Sequence, residues 1–216
     1  YTPVNGRGFG KAMPASTPED VIRKDLQILG TDIWNIAMDH SASIVPLWYR
    51  AMRKRRSRPI LIDPAGRHVN GYEMIRLCHH FGKKIKSLTR NDQNVGFMLP
   101  TSRDAALGIM SILGCGKTTV NLNYTSPVDT LIGCIDKAEL STIVTSRAFF
   151  DKLCGKNPDF KQLADKCQMF YIDEEEQKIS TFCRLIEAFI VFAFPKKLLR
   201  DLWFTTAKLS DDAVIL

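Results

Sequence analysis

Short apolar segments alternate with longer amphipathic segments from residue 59 onward, and this alternation constrains the fold more than any other feature of the chain. The apolar segments have the length of strands, and the segments between them carry apolar residues at helical spacing. Strands that alternate with helices favour β-α-β crossovers and a parallel sheet, so the sequence predicts an α/β fold. The predicted strands are 59–63, 94–99, 118–122, 141–145 and 167–172, the predicted helices are 72–88, 103–113, 127–137 and 147–153, and 67–70 is expected to return along the first strand as a hairpin.

The chain divides into three predicted parts. Residues 1–16 are rich in Gly, Pro and Ser and have no apolar period, which is typical of a flexible tail or linker. Residues 17–58 predict a helical linker, with one helix that Thr17 caps and Pro18 begins, and a second helix over 43–56. Residues 59–216 contain the predicted α/β domain.

The Phe-rich segment 181–204 does not follow the alternation. It contains Pro195 and a Lys196-Lys197 pair, and its longest apolar run is far below the roughly 20 residues that span a bilayer. Three interpretations stay open: packing in the core, a helix on a lipid surface with basic residues beside Trp and Phe, or a surface for another part of a longer protein.

The charge balance favours polyanionic partners. Lys and Arg number 30 against 23 Asp and Glu, a formal net charge of +7. Nucleic acid, anionic lipid and acidic protein all fit this balance, but the chain carries no recognised nucleic-acid-reading motif, so we expect no nucleic-acid partner. The densest basic run, Arg50 to Arg58, is either a solvated helix end or a contact for anionic lipid or an acidic protein.

The cysteines give no sign of a metal site or a disulfide framework. They form no C-x-x-C pair, and no histidine lies near them at zinc-ligand spacing. Buried, reduced thiols in a cytosolic compartment are therefore expected. The six are Cys78, Cys115, Cys134, Cys154, Cys167 and Cys183.

The segment Gly114-Cys115-Gly116-Lys117-Thr118-Thr119 resembles part of a phosphate-binding P-loop. The P-loop pattern needs a Gly where this chain has Ser111, and a P-loop leads from a strand into a helix. Here the predicted order is helix, then strand. We therefore expect Gly114 and Gly116 to turn the chain out of a helix rather than to cradle phosphate.

No other motif predicts an active site. None of His40, His68, His79 and His80 begins an H-x-x-x-x-D pattern, and no G-x-S-x-G elbow occurs. His79 and His80 lie on one predicted helix, where a structural role is expected, with one ring facing out. The acidic groups Glu174–Glu176 and Asp211–Asp212 are interpreted as loop and cap residues. No catalytic, cofactor-binding or metal-binding residue is predicted in the chain.

Five segments, in order, resemble the start of the large domain of the acyl-adenylate-forming superfamily, the AMP-forming enzymes that activate carboxylic acids. They are Gly71-Tyr72-Glu73-Met74; Asn94 to Ser102, similar to V-G-I-M-L-P-N-S; Ile109 to Lys117, similar to L-G-I-L-K-A-G-K; Val120 to Pro127, similar to V-P-L-N-P-T-x-P; and Ser141 to Ser146. Cys115 and Asn121 depart from the family's usual Ala and Pro. The resemblance implies the parallel-sheet layers of that N-terminal domain.

The flanking residues narrow the resemblance. Residues 17–58 and 209–216 look like the bifunctional acyl-[acyl-carrier-protein] synthetase and 2-acylglycerophosphoethanolamine acyltransferase family. That family's phosphate loop would begin just after Leu216, in the continuation of the apolar run 213–216. On this resemblance the domain is truncated before its phosphate loop, and no functional residue of the family can be carried over.

The resemblance implies a function for a longer parent protein. The parent would activate a fatty acid as acyl-AMP with ATP and Mg²⁺, pass the acyl group to acyl carrier protein, and reacylate a lysophospholipid at the cytoplasmic side of the inner membrane. The fragment itself is expected to be soluble and inactive, to bind no cofactor, and to contact the remaining domains of the same polypeptide. The alternative is a non-enzymatic basic module that binds a membrane or a protein.

Overall fold

The computed structural model describes residues 11–39, 43–63, 66–205 and 213–215. The chain separates into two compact units, Tyr1–Ser43 and Ile44–Leu216. His40 and the acidic pair at 211 and 212 lie outside the described residues. The predicted part boundaries at residues 16 and 58 stay predictions.

The first unit contains one helix, α1 (Glu19–Asp39), among its described residues. The helix begins at Glu19, one residue after Pro18, and the Thr17 hydroxyl donates to the Pro14 carbonyl at 2.7 Å. Glu19 and Asp20 lie in the first turn, where acids are favoured by the helix dipole.

The second unit is an α/β structure with a parallel sheet, as predicted. A hairpin pairs β1 (Pro59–Ile62) with β2 (His68–Asn70) in antiparallel register. The larger sheet has the order β6-β5-β3-β4-β7, and all its pairings are parallel. Its strands are β3 (Asn94–Phe97), β4 (Thr118–Asn121), β5 (Thr142–Thr145), β6 (Gln168–Tyr171) and β7 (Val214–Ile215).

Helices connect and cover the strands of this unit. The long amphipathic helices formed where the apolar periodicity predicted them, with ends that differ by a few residues. Three short elements after residue 157 were not predicted, because each is too brief to show a period. The helices are α2 (Ile44–Arg55), α3 (Gly71–Leu88), α4 (Arg103–Gly114), α5 (Val128–Lys137), α6 (Arg147–Lys156), the 3₁₀ turn Pro158–Phe160, α7 (Lys161–Lys166), α8 (Ile172–Gln177), α9 (Thr181–Ala193) and α10 (Lys196–Trp203).

Both faces of the sheet are buried, because successive side chains of a strand point to opposite faces. Phe97, Val144 and Phe170 join one core cluster, which includes residues of α2, α3, α4 and α10. The residues beside two of them, Ile143 and Tyr171, join a second cluster with residues of α5, α6 and α7. The sheet therefore separates two apolar cores.

Side-chain caps begin four of the described α-helices. Asn70, Ser102, Ser146 and Ser180 each accept a hydrogen bond from the backbone N–H three residues on. The predicted Ser126 cap of α5 is wrong. Pro127 takes the cap position there, with no side-chain cap bond.

The Phe-rich segment forms α9 and α10, separated at Pro195, and its side chains divide unequally between core and surface. Val191, Leu199 and Phe204 are buried, so core packing describes a minority of the segment. Phe182, Phe189 and Phe192 are 72%, 67% and 70% exposed. Within the described ranges, no helix combines the length and apolarity needed to cross a bilayer.

A pair of Phe→Ala variants tests this assignment of core and surface. Phe81 of α3 is 0% exposed, whereas Phe182 of α9 is 72% exposed. Phe81→Ala should lower the free energy of unfolding by about 3–5 kcal/mol, because it removes buried apolar area and leaves a cavity. Phe182→Ala should change the free energy of unfolding by no more than about 0.5 kcal/mol. Urea unfolding followed by circular dichroism measures both, and equal losses would contradict the assignment.

Candidate functional site

The carboxyl edge of the parallel sheet is the first candidate site, because α/β proteins bind ligands where neighbouring strands send their helices to opposite faces. Strands β3 and β5 are neighbours in the sheet. After β3 the chain enters α4, which packs in the first core cluster, and after β5 it enters α6, which packs in the second. The connections that follow these two strands therefore run to opposite faces of the sheet. A crevice is expected between them, at the carboxyl ends of the strands.

Hydrogen bonds join the chain at the carboxyl ends of β3 and β5. The buried Thr145 hydroxyl donates to the Met98 carbonyl at 2.7 Å, and the Met98 N–H donates to the Val144 carbonyl at 3.0 Å. The hydroxyls of Ser102 and Ser146 are used to cap α4 and α6. The polar groups that would meet a ligand in an open crevice therefore bond to the protein's own backbone.

The amino end of α6 is also occupied by a side chain of the chain itself. The Asp173 carboxylate accepts from the Arg147 N–H at 2.8 Å and from the Ala148 N–H at 3.2 Å. A carboxylate at a helix amino terminus is favoured by the free N–H groups and by the helix dipole. Asp173 thus takes the place at which a bound anion would be stabilised.

A charged cleft of about 530 Å³ adjoins the edge, lined by residues that include Arg67, Arg103, Arg184 and Glu176. The Arg103 side chain is 4% exposed and forms two hydrogen bonds to Glu176, of 2.8 Å and 2.6 Å. It also donates to Asp104 at 3.0 Å, and Asp104 in turn accepts from Arg67 at 3.2 Å. These ion pairs connect the β1–β2 hairpin, α4 and α8.

The ion pairs hold Glu176 in its ionised form. Burial raises the pKa of Glu176, but the hydrogen bonds and positive charge of Arg103 outweigh burial and hold it below its ordinary value of 4.5. An acid with a lowered pKa is a poor proton donor at neutral pH. The expected loop position of Glu174–Glu176 is wrong, because all three lie in the helix α8, and Glu176 pairs with the buried Arg103.

A second cleft, of about 680 Å³, lies between α3, the end of α4 and α10. The His79 ring stacks on Trp203 with centroids 4.0 Å apart, and its Nδ1 lies 3.3 Å from the Trp203 carbonyl. Burial lowers the pKa of His79. His80 Nδ1 lies 3.3 Å from Glu187 Oε1. Both rings are half-buried against neighbouring side chains, so the expectation that one faces out is wrong.

The P-loop-like segment has the predicted order of helix, turn and strand. Gly114 ends α4, Gly116 has a φ of +81°, and β4 begins at Thr118. The Lys117 ammonium donates to the Thr89 carbonyl at 2.7 Å and to the Asp92 carbonyl at 2.5 Å, which ties the turn to the loop after α3. Gly114 has a different role from the predicted one, because a Cβ there would lie 2.8 Å from the Phe204 ring.

The cysteines are all free, and they differ in exposure. Burial raises the pKa of Cys78 to about 12 and that of Cys115 to about 11, so both thiols stay protonated and unreactive at neutral pH. The expectation of buried thiols is wrong for Cys134 and Cys183, which are exposed. Among the residues that the structure describes, no three His, Cys, Asp or Glu side chains are placed to hold a metal ion.

Neither the P-loop-like segment nor the amino end of α6 fits a site for ATP and Mg²⁺. Lys117 is engaged by backbone carbonyls, and Asp173 fills the amino terminus of α6. A triphosphate needs free backbone donors and a free cation, and neither candidate segment provides them.

Several solved structures have the fold of this chain, whereas no protein-family model matches it. The luciferase-like enzyme from the nonluminescent Zophobas morio mealworm superposes with a TM-score of 0.56 at 16% identity, over 82% of this chain and 40% of that one. The N-terminal subdomain of Klebsiella oxytoca NpsA, in complex with 3-hydroxybenzoyl-AMSN, superposes with a TM-score of 0.54 at 12% identity, over 81% and 37%. The anthranilate CoA ligase AuaEII, in complex with anthranoyl-AMP, gives 0.51 at 14% identity, over 62% and 26%.

These similarities concern the fold. The described α/β unit shares its fold with the NpsA N-terminal subdomain and the luciferase-like enzyme, which confirms the predicted α/β class with a parallel sheet. The aligned part spans two fifths or less of the length of each of these three proteins, at 40%, 37% and 26%.

The role of Gly114 can be tested with a matched glycine substitution. Gly114→Ala should lower the free energy of unfolding by about 1–3 kcal/mol, because the new methyl group presses on the buried Phe204 ring. Gly133 lies inside α5 with open space around its Cα, so Gly133→Ala should raise stability by up to about 1 kcal/mol. Thermal unfolding of both variants measures the difference, and a stabilising Gly114→Ala would contradict the assigned packing.

The Arg103–Glu176 pair predicts an acid-sensitive contribution to stability. Glu176→Gln should lower the free energy of unfolding by roughly 2–3 kcal/mol at neutral pH, because it leaves the buried Arg103 without its main counter-charge. The folded-state pKa of Glu176 is lowered, so the stabilisation is present above the ordinary pKa of 4.5 and is lost as pH falls through the folded-state value.

The measurement is urea unfolding of the parent chain and the variant across acidic pH. The stability difference between them should shrink below the ordinary pKa. The exposed Glu139→Gln is the matched control and should change stability little at any of these pH values. A difference that persists undiminished in acid would show that the pair is not the cause.

Proposed function

We propose that the chain forms the N-terminal sheet of an adenylate-forming ligase. Three features support this: the parallel order β6-β5-β3-β4-β7, the shared fold of the AMP-ligand-bound and luciferase-like enzymes above, and the five sequence segments that resemble the superfamily in order. The single observation that carries the proposal is the position of β7.

Strand β7 pairs in parallel with β4, through Thr119 with Val214 and Val120 with Ile215. Chain that follows a parallel strand leaves the sheet at its carboxyl edge. Strand β7 therefore has its carboxyl end at the same edge of the sheet as β3 and β5. A phosphate loop in the continuation of the chain, as the superfamily resemblance implies, would be delivered to the edge at which α/β proteins bind ligands.

The described residues would then serve as the support of the site. The threonine and serine hydroxyls that close the β3–β5 edge, and the Arg103–Glu176 pair beside it, hold the strand ends in place. Adenylation needs backbone donors and positive charge preorganised around the reacting phosphorus, and these would come from the continuation. A wall of the acyl pocket is the further contribution that this part of the domain could make.

The proposed substrate is a fatty acid, activated with ATP and Mg²⁺ as acyl-AMP and passed to acyl carrier protein. The proposed final acceptor is a lysophospholipid at the cytoplasmic side of the inner membrane. Support for these finer assignments comes from the resemblance of residues 17–58 and 209–216 to the bifunctional synthetase and acyltransferase family.

The proposal predicts that the 216-residue chain is catalytically silent. Incubation with ATP, Mg²⁺ and a long-chain fatty acid should release no pyrophosphate above the protein-free rate, because the proposal assigns the phosphate-binding groups to the continuation. An authentic acyl-acyl-carrier-protein synthetase is the positive control. Fatty-acid-dependent pyrophosphate release by the chain alone would contradict this assignment.

The coding sequence after Leu216 provides the positive test. A loop rich in Thr, Ser and Gly that ends in Lys is expected there, and the extended protein should then catalyse fatty-acid-dependent ATP–pyrophosphate exchange. Comparing acyl carrier protein with coenzyme A as acceptor of the acyl group tests the finer assignment. A stop codon, or a continuation without such a loop, would overturn the proposal.

A further inference from the structure

Helix α9 exposes an apolar side, whereas a helix on a protein surface normally buries its apolar side. Its exposed side carries Phe182, Leu185, Ile186 and Phe189, which recur at the i, i+3, i+4, i+7 spacing of one helical face. Phe192 extends this face by another turn and is also exposed. The most apolar surface of the helix therefore faces away from the domain.

The side of α9 that contacts the domain carries the buried Val191 together with polar and charged groups that bond to the domain. Glu187 accepts from Arg76 at 3.3 Å and lies 3.3 Å from His80, both on α3. Arg184 donates to the backbone carbonyls of Glu176 and Ile179 at 3.0 Å and 3.2 Å. These directional contacts fix which face of the helix points outward.

The apolar surface continues across Pro195 onto α10. Phe194, Leu198 and Leu202 are exposed, and the two leucines are four residues apart on one face, whereas Leu199 is buried. Lys196 and Lys197 are exposed at the start of α10. We define the α9–α10 face by the exposed apolar residues Phe182, Leu185, Ile186, Phe189, Phe192, Phe194, Leu198 and Leu202.

The basic run of α2 lies beside this face. The Arg53 guanidinium donates to the Val191 carbonyl near the end of α9, and Trp48 of α2 stacks edge-on with Phe204 after α10 at 5.3 Å. Arg50 lies three residues before Arg53 and Lys54 directly follows it, and both are exposed. The fold thus brings the basic helix α2 against the end of α9, and Lys196 and Lys197 follow Phe194 directly after Pro195.

We propose that the α9–α10 face binds the surface of an anionic lipid bilayer, with its Phe and Leu side chains inserted at the headgroup boundary and its cations on lipid phosphates. Apolar rings beside Lys and Arg are the combination that binds helices in the plane of a membrane. A second copy of the chain fits less well, because face-to-face pairing would bring the basic groups of both copies together. This inference does not rest on the proposed ligase activity.

Vesicle flotation of the 216-residue chain tests the proposal. The chain should float with vesicles of phosphatidylcholine and phosphatidylglycerol, float much less with phosphatidylcholine alone, and be released by salt. Lys196→Ala with Lys197→Ala should weaken the partition coefficient roughly 30-fold at low salt, because each basic residue near an anionic surface contributes a factor of about 5. The control variant Lys152→Ala with Lys156→Ala on α6 removes the same charge and should weaken the partition coefficient far less.

The apolar contribution is tested separately. Phe189→Ser with Phe192→Ser should abolish flotation, while circular dichroism and urea unfolding stay like those of the parent chain, because both rings are exposed in the folded protein. Light scattering without lipid reports whether the chain self-associates. Unchanged flotation of this variant, no flotation of the parent chain, or a dimer that the Phe→Ser changes dissociate would each overturn the proposal.

Discussion

The second unit depends on one constraint: a parallel sheet has two apolar faces, and both must be covered. The alternation of side chains along β3, β5 and β6 divides them between two cores. One face is covered by α3 and α4 together with α2 and α10, so segments far apart in the chain must meet. The Phe204 ring shows this dependence, because it packs against Trp48 and Tyr49 of α2 and against Gly114 at the end of α4.

Charged groups at the edge of the sheet link the helices of the unit to one another. Arg103 links α4 to α8, and Asp173 in the first turn of α8 links that helix to the amino end of α6. Buried ion pairs of this kind contribute little net stability, but each partner becomes costly when the other is lost. They therefore fix the geometry of the edge without leaving a reactive group there. This is the arrangement expected of a support on which another segment would place its chemistry.

The same use of polar groups explains the exposed apolar face of α9. Helices usually dock through apolar contacts, which are not directional, whereas α9 adds directional bonds of Glu187 and Arg184 to the buried contact of Val191. An enzyme that handles acyl chains and lysophospholipid would benefit from a lipid-binding surface near its catalytic domain. The two proposals are compatible on this view, although each stands on its own observations.

Strand and helix periodicity in the sequence determined the α/β class, the positions of the main elements and the rejection of the P-loop, because these depend on local patterns of apolar residues and turns. The helix cap at Ser102 and the turn at Gly116 could also be predicted, because each depends on residues close by in the sequence. What only the tertiary structure decided was the partner of each side chain: Glu176 with Arg103, Lys117 with the Thr89 carbonyl, and the outward direction of the α9 phenylalanines. A helical period shows that a helix has an apolar side, but which side meets the protein depends on contacts with residues more than a hundred positions away, as between Arg76 and Glu187.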